Sequence, residues 1–88
     1  MMQYPVRVPH RDYSGNNASK RQRVAEFNRL GNELVSHINN QIEKSPKDVV
    51  VFEYADLARI FKLSVEEVSD ILGSVGGGHN GLTVAKRV

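Results

Sequence analysis

The sequence predicts a mainly α domain with a small β-hairpin, and three observations carry that expectation. Residues 19–44 gather their apolar side chains on one helical face. Residues 54–73 read as two short helices joined by a tight turn. Residues 76–88 combine a glycine-rich stretch with an alternating tail. The architecture expected is one long N-terminal amphipathic helix plus a tri-helical motif, closed by the hairpin.

Taken in order, residues 1–18 are polar and interrupted by Pro5, Pro9 and Gly15-Asn16-Asn17. They are expected to form a flexible basic arm, mobile or loosely docked, leaving residues 19–88 as the folded domain. Tyr4, Val6 and Val8 alternate well enough for a short edge strand, whose pairing the two prolines would limit. The long helix can be capped by Asn17 or Ser19. Its apolar residues Val24, Phe27, Leu30, Leu34, Val35, Ile38 and Ile42 fall within an arc of about 140°. Gly31 sits near the middle of that arc, where it weakens the helix by about 1 kcal/mol but lets another element approach closely. Ser45-Pro46-Lys47-Asp48 ends the helix, because the residue before a proline disfavours helical dihedrals. Val49-Val50-Val51-Phe52 is a β-branched run expected as a buried strand. The short helices follow at 54–61 and 65–73. Asn80-Gly81 is a two-residue turn signal, and the residues from Leu82 onward alternate as a terminal strand.

At 88 residues the chain is one domain, and its 40% hydrophobic content suffices for a modest core. With no cysteine there is no disulfide, no thiolate metal site and no cysteine nucleophile. No stretch is long and apolar enough to span a bilayer, and the first residues lack a signal-peptide run, so the expected location is cytoplasmic. His10, His37 and His79 share no ligand spacing, so no metal site is implied, and His37 is expected as a surface or boundary group on the long helix. The glycine triplet is not followed by Gly-Lys-Ser/Thr and comes after a helix rather than a strand, so it is expected as a turn and not a phosphate loop. Nothing in the sequence asks for catalysis, a cofactor or a small-molecule ligand.

Charge is distributed unevenly. Residues 1–23 carry five basic side chains and one acidic, residues 24–75 carry five basic and nine acidic, and residues 76–88 add Lys86 and Arg87. The ends are basic and the middle acidic, so the formal net charge of +2 hides a dipolar chain.

The segment from Leu57 to Leu72 has the parts of a helix-turn-helix. Leu57, Ala58 and Phe61 form the inner face of the first helix, with Ala58 small enough for a close crossing. Lys62-Leu63 makes the turn and its apolar plug. Ser64 caps the second helix and Glu67 completes a capping box. Val68, Ile71 and Leu72 point inward. This stretch resembles the helix-turn-helix of bacterial transcription regulators, in which the pattern L-A-x-x-F-G-V-S-x-x-T-V-S-R-x-L is common. Leu57, Ala58, Phe61, Ser64, Val68, Ser69 and Leu72 match it by position, and Leu63 replaces its valine. The family's turn glycine is Lys62 here, and its arginine is Asp70. Helix, strand, helix, turn, helix and hairpin is also the order of a winged helix. That resemblance implies a second motif helix lying in the major groove and a wing over residues 74–88 that touches the backbone.

Two functions follow. The first is DNA binding in transcription regulation, chiefly through phosphates. Arg7, Arg11, Lys20, Arg21 and Arg23 would grip from the arm, and His79, Asn80, Lys86 and Arg87 from the wing. Lys62, Ser64 and Ser69 would contribute from the motif. The second is a winged-helix protein-interaction module. The outer face of the second helix offers Val65, Glu66, Glu67, Ser69 and Asp70, three acidic and none basic, which repels phosphate and suits a basic protein partner. In that reading Glu66, Glu67 and Asp70 meet the partner. Leu30 and Leu34, towards one edge of the apolar arc, are the candidates for a homodimer interface.

Overall fold

The computed structural model describes residues 2–86. Three helices pack against a three-stranded sheet in the order β1 (Met2–Gln3), α1 (Ala18–Lys44), β2 (Val49–Glu53), α2 (Tyr54–Phe61), α3 (Val65–Gly73) and β3 (Gly81–Ala85). The sheet order is β1-β3-β2, with β1 parallel and β2 antiparallel to the central β3. No described helix is long and apolar enough to cross a membrane.

Local signals place the helices where the sequence predicts them. Asn17 caps α1, its side-chain oxygen accepting from the Lys20 N–H at 3.1 Å. The chain leaves α1 at Ser45, just ahead of Pro46. Gly31, Leu34, Ile38 and Ile42 form the buried stripe of α1 at helical spacing. Leu57 and Ala58 of α2, Val68, Ile71 and Leu72 of α3, and Leu82 and Val84 of β3 close the core against it. Phe27 and Phe61 lie at its margin, half-buried. His37 meets the Phe61 ring edge-on at 5.4 Å, a boundary position as expected.

Four expectations are revised. First, the segment before α1 lies along it, antiparallel. Val6 is fully buried, and its N–H and C=O both bond the Asn39 amide, at 2.8 and 3.0 Å. Arg11 repeats the arrangement with Asn28, at 2.8 and 3.0 Å. An asparagine side chain carries one acceptor and two donors, so it can satisfy a peptide N–H and a neighbouring carbonyl together. The spacing also agrees. Eleven helical residues rise about 16 Å, and five residues of extended or polyproline-II chain cover about the same distance. Tyr4, Val6 and Val8 do turn inward, but the backbone of Val6 pairs with Asn39 rather than with a strand. Only Met2–Gln3 joins β3, followed by the Tyr4 N–H to the Ala85 carbonyl at 2.9 Å.

Second, β2 is an edge strand and not a buried one. Val49, Val51 and Glu53 face solvent while Val50 and Phe52 turn inward. A run of β-branched residues looks the same in sequence whether one face or both are covered.

Third, no wing hairpin forms over residues 74–86. Residues 74–77 are spent closing α3. The Gly77 N–H reaches the Leu72 carbonyl at 3.0 Å and the Gly76 N–H the Gly73 carbonyl at 3.4 Å, with Gly76 at φ 104°. This is the Schellman pattern, for which glycine has the dihedral freedom. The Asn80-Gly81 turn survives as a single bond, Gly78 N–H to Gly81 carbonyl at 2.8 Å. No residues remain for a second strand, and β3 pairs with β2 and β1 instead. Val88 lies outside the described residues.

Fourth, Leu34 is completely buried in the core, so it cannot present a dimer surface. Leu30 is half-buried beside it. The sheet, α3 and the docked segment together cover the wide apolar arc of α1.

Candidate nucleic-acid interface

The α2–α3 corner is built by its own sequence. Lys62 ends α2 in the left-handed region at φ 56°, ψ 44°, where glycine is the usual residue. Its conformation turns the chain so that the Leu63 N–H bonds the Ala58 carbonyl at 2.8 Å. Ser64 and Glu67 then make the capping box in full. The Ser64 hydroxyl accepts from the Glu67 N–H at 3.1 Å, and the Glu67 carboxylate accepts from the Ser64 N–H at 3.1 Å. Two of the candidate residues, Ser64 and Glu67, are thereby committed to the helix end.

The outer face of α3 presents Val65, Glu66 and Asp70, with Ser69 half-buried. Glu66 and Glu67 stand in the first turn, where negative charge is favoured by the helix dipole. Their local role explains the acidity without reference to a partner. It also leaves α3 with no cation to offer a phosphate.

The basic residues fall into two groups. Arg11 lies against the third turn of α1 because Asn28 holds its backbone, and its guanidinium carbon lies 3.7 Å above the Phe27 ring centroid. Arg11 and Arg23 share one cleft with Glu67 and Asp70 of α3. Lys20 and Arg21 stand on the first turn of α1, and Arg21 donates to the Gly15 carbonyl at 3.2 Å. Arg7 is exposed on the docked segment. Among the described residues the ion pairs are Arg29–Glu26, Arg29–Glu33 and Arg59–Asp56, so none of these five cations is tied to a carboxylate.

The second group does not join the first. The Lys86 ammonium donates to the Ser45 carbonyl at 2.8 Å and the Glu43 carbonyl at 3.4 Å, capping the C-terminal end of α1. A cation there satisfies carbonyls the helix leaves unpaired and complements the dipole. Along α1 Lys86 lies about 35 Å from Lys20 and Arg21 and about 24 Å from the level of Arg11, whereas Arg7, next to Val6 at the level of Asn39, is much nearer. His79 and Asn80 are exposed at the loop before β3, and the Asn80 carbonyl takes the Tyr54 N–H at 2.9 Å. Arg87 lies outside the described residues. Lys86 is thus separate from Arg11, Lys20, Arg21 and Arg23.

Two features were not singled out from the sequence. The first is the stripe of Asn28, Asn32, Asn39 and Glu43, which lies within about 60° on α1. His10 bonds Asn32 at 3.2 Å, and the Tyr4 hydroxyl bonds Glu43, which with burial raises the pKa of that hydroxyl. Its spacing, beside the apolar arc and Gly31, was the available signal. The second is Tyr54, whose fully buried hydroxyl donates to the Gly78 carbonyl at 2.9 Å and is pushed up in pKa by desolvation. A Cβ on Gly77 would collide with that hydroxyl, so the glycine triplet serves close packing as well as the turn.

Among the described residues no group of three or more His, Cys, Asp or Glu is placed to hold a metal ion. No protein-family model, curated protein or solved structure matches the chain.

Proposed function

We propose that this chain is a small DNA-binding domain built on a helix-turn-helix, with a role in transcription regulation, a binding module rather than a catalyst. It would hold duplex DNA by its phosphates and not by reading bases through α3. The observation that carries the reading is the cleft in which Arg11 and Arg23 lie beside α3, with Lys20 and Arg21 on the first turn of α1, all four outside every carboxylate ion pair described. A guanidinium such as that of Arg11, held on a backbone anchored by Asn28, is well suited to bind a phosphate. The motif resemblance from Leu57 to Leu72 adds the orientation, with α3 towards the duplex.

The test is fluorescence anisotropy on a random-sequence duplex across a salt series. Four phosphate contacts predict a slope of log affinity on log salt of about −3.6. Changing Lys20 and Arg23 together to Glu should abolish binding. Glu66→Lys should strengthen it, because that position faces the duplex in this docking. Absence of binding at low salt overturns the reading, as does full retention by the Lys20/Arg23 variant.

A second reading has its own observation. Glu66 and Asp70 are exposed on α3 and belong to no described ion pair. They would suit a protein-interaction module that meets a basic partner through α3. In that case the chain does not bind DNA directly, and Glu66→Lys weakens capture of a basic partner instead.

A further inference from the structure

The four large apolar side chains left exposed among the described residues are Val49 (41%), Val51 (65%), Ile60 (54%) and Val65 (46%). They occupy one surface. Two hollows share Val51, one lined also by Ile60 of α2 and the other by Val65 of α3. Exposed apolar residues scattered singly need no explanation, but a cluster on an open sheet edge does.

The register shows what that edge offers. The Tyr54 N–H bonds the Asn80 carbonyl and the Lys86 N–H bonds the Asp48 carbonyl, so even-numbered residues of the β2 segment spend their peptide groups on β3. The N–H and C=O of Val49 and Val51 and the N–H of Glu53 therefore point away from the sheet, while the Glu53 carbonyl caps α2. These three residues also carry the outward side chains. The segment Val49–Glu53 has no proline, and its one charge is at its end.

We propose that β2 pairs antiparallel with β2 of a second copy of this chain, about a two-fold axis at Val51. The edge is self-complementary in that register. Val51 meets Val51 of the other copy, and Val49 meets Glu53 in both directions, so the free peptide groups of Val49 and Val51 and the Glu53 N–H face the partner strand. Charge agrees as well. Lys47 is two residues ahead of Val49, with Asp48 between them on the other face, so in this register Lys47 lies diagonal to Glu53 of the other copy on the outward face. A second copy is favoured over an open-ended stack because the other edge of the sheet is β1, only two residues long and too short to extend a ladder. Because β2 meets β2, the same edge is used in both copies and the contact closes as a two-fold dimer. This inference does not rest on DNA binding.

The experiment is sedimentation equilibrium of the DNA-free protein over a wide concentration range, with amide exchange read at the same concentrations. The expected result is a monomer–dimer equilibrium in which the amides of Val49, Val51 and Glu53 gain protection as the dimer forms. Val51→Lys sets like charges opposite each other at the axis and should weaken association at least about tenfold, with the circular-dichroism melt of the monomer unchanged. If Val51→Lys fails to fold, Val49→Glu serves the same purpose by facing Glu53 of the other copy. A protein that stays monomeric throughout overturns the proposal and leaves the edge to a different chain. So does a dimer in which those three amides stay unprotected, or one that a folded edge variant leaves intact.

Discussion

The α2–α3 corner and the segment docked along α1 are both held by hydrogen bonds to named side chains, but the reach of those bonds differs. In the corner, Ser64 and Glu67 are three residues apart, and Lys62 turns the chain within one step. Along α1, Val6 and Asn39 are 33 residues apart, and Arg11 and Asn28 are 17 apart. Local bonds need little chain closure to form, whereas distant ones must first bring the chain ends together. The corner should therefore persist when the segment is loosened, and the reverse should not hold.

The largest test of that asymmetry is Leu72→Ala. Leu72 is fully buried at the junction of α3 with the core, so its truncation should cost about 2–5 kcal/mol. Thermal melts followed at both regions should show corner and segment lost together. Asn39→Ala should cost about 1–3 kcal/mol, because the buried Val6 peptide groups lose their partners. Here amide exchange should accelerate around Val6 while the amides of α3 keep their protection. Equal acceleration in both regions would erase the distinction.

Lys62→Gly sharpens the corner side. Removing Cβ from a left-handed position relieves about 1 kcal/mol of strain, partly offset by the greater freedom of the unfolded chain. A small rise in melting temperature is expected, and a fall would mean that the Lys62 side chain holds the turn in some other way. Gly31→Ala probes where the two regions meet. Alanine favours the helix by about 1 kcal/mol, but its Cβ would stand 3.3 Å from Val8 Cγ1. The two effects nearly cancel, so overall stability should change little while exchange near Val8 increases.

The smallest effect concerns pH. The Tyr4 hydroxyl is raised in pKa by its hydrogen bond to Glu43, then by desolvation and by the carboxylate's charge. A raised acid is favoured in its neutral form by folding. Its contribution is thus complete below the ordinary tyrosine pKa of about 10 and is lost as pH rises beyond it. Chemical denaturation on both sides of pH 10 should show the advantage of the parent over Tyr4→Phe shrinking on the alkaline side. An advantage that persists there would show that the bond contributes nothing to docking.

What the sequence alone determined is the part written at short range. The helix ends at Asn17 and Ser45, the capping box, the inward Val68, Ile71 and Leu72, and the tolerance of a close neighbour at Gly31 all follow from spacings of a few residues. The Gly31 neighbours are Val8 and Ile71. Of the candidate site, residue types and net charge were legible, but not their grouping. Nothing local distinguishes Lys86, which caps α1, from Lys20, which does not, because the carbonyls it caps lie about forty residues earlier. The same holds for Leu34 and Leu30: both sit on the apolar arc, and only packing separates a core residue from a marginal one. Tertiary structure alone decided that β3 sits between β1 and β2, that residues 74–77 close a helix instead of starting a wing, and that a valine-rich strand keeps one face and one edge open. Strand pairing is a choice among distant partners, and the alternation of side chains within a strand does not say which edge will be filled.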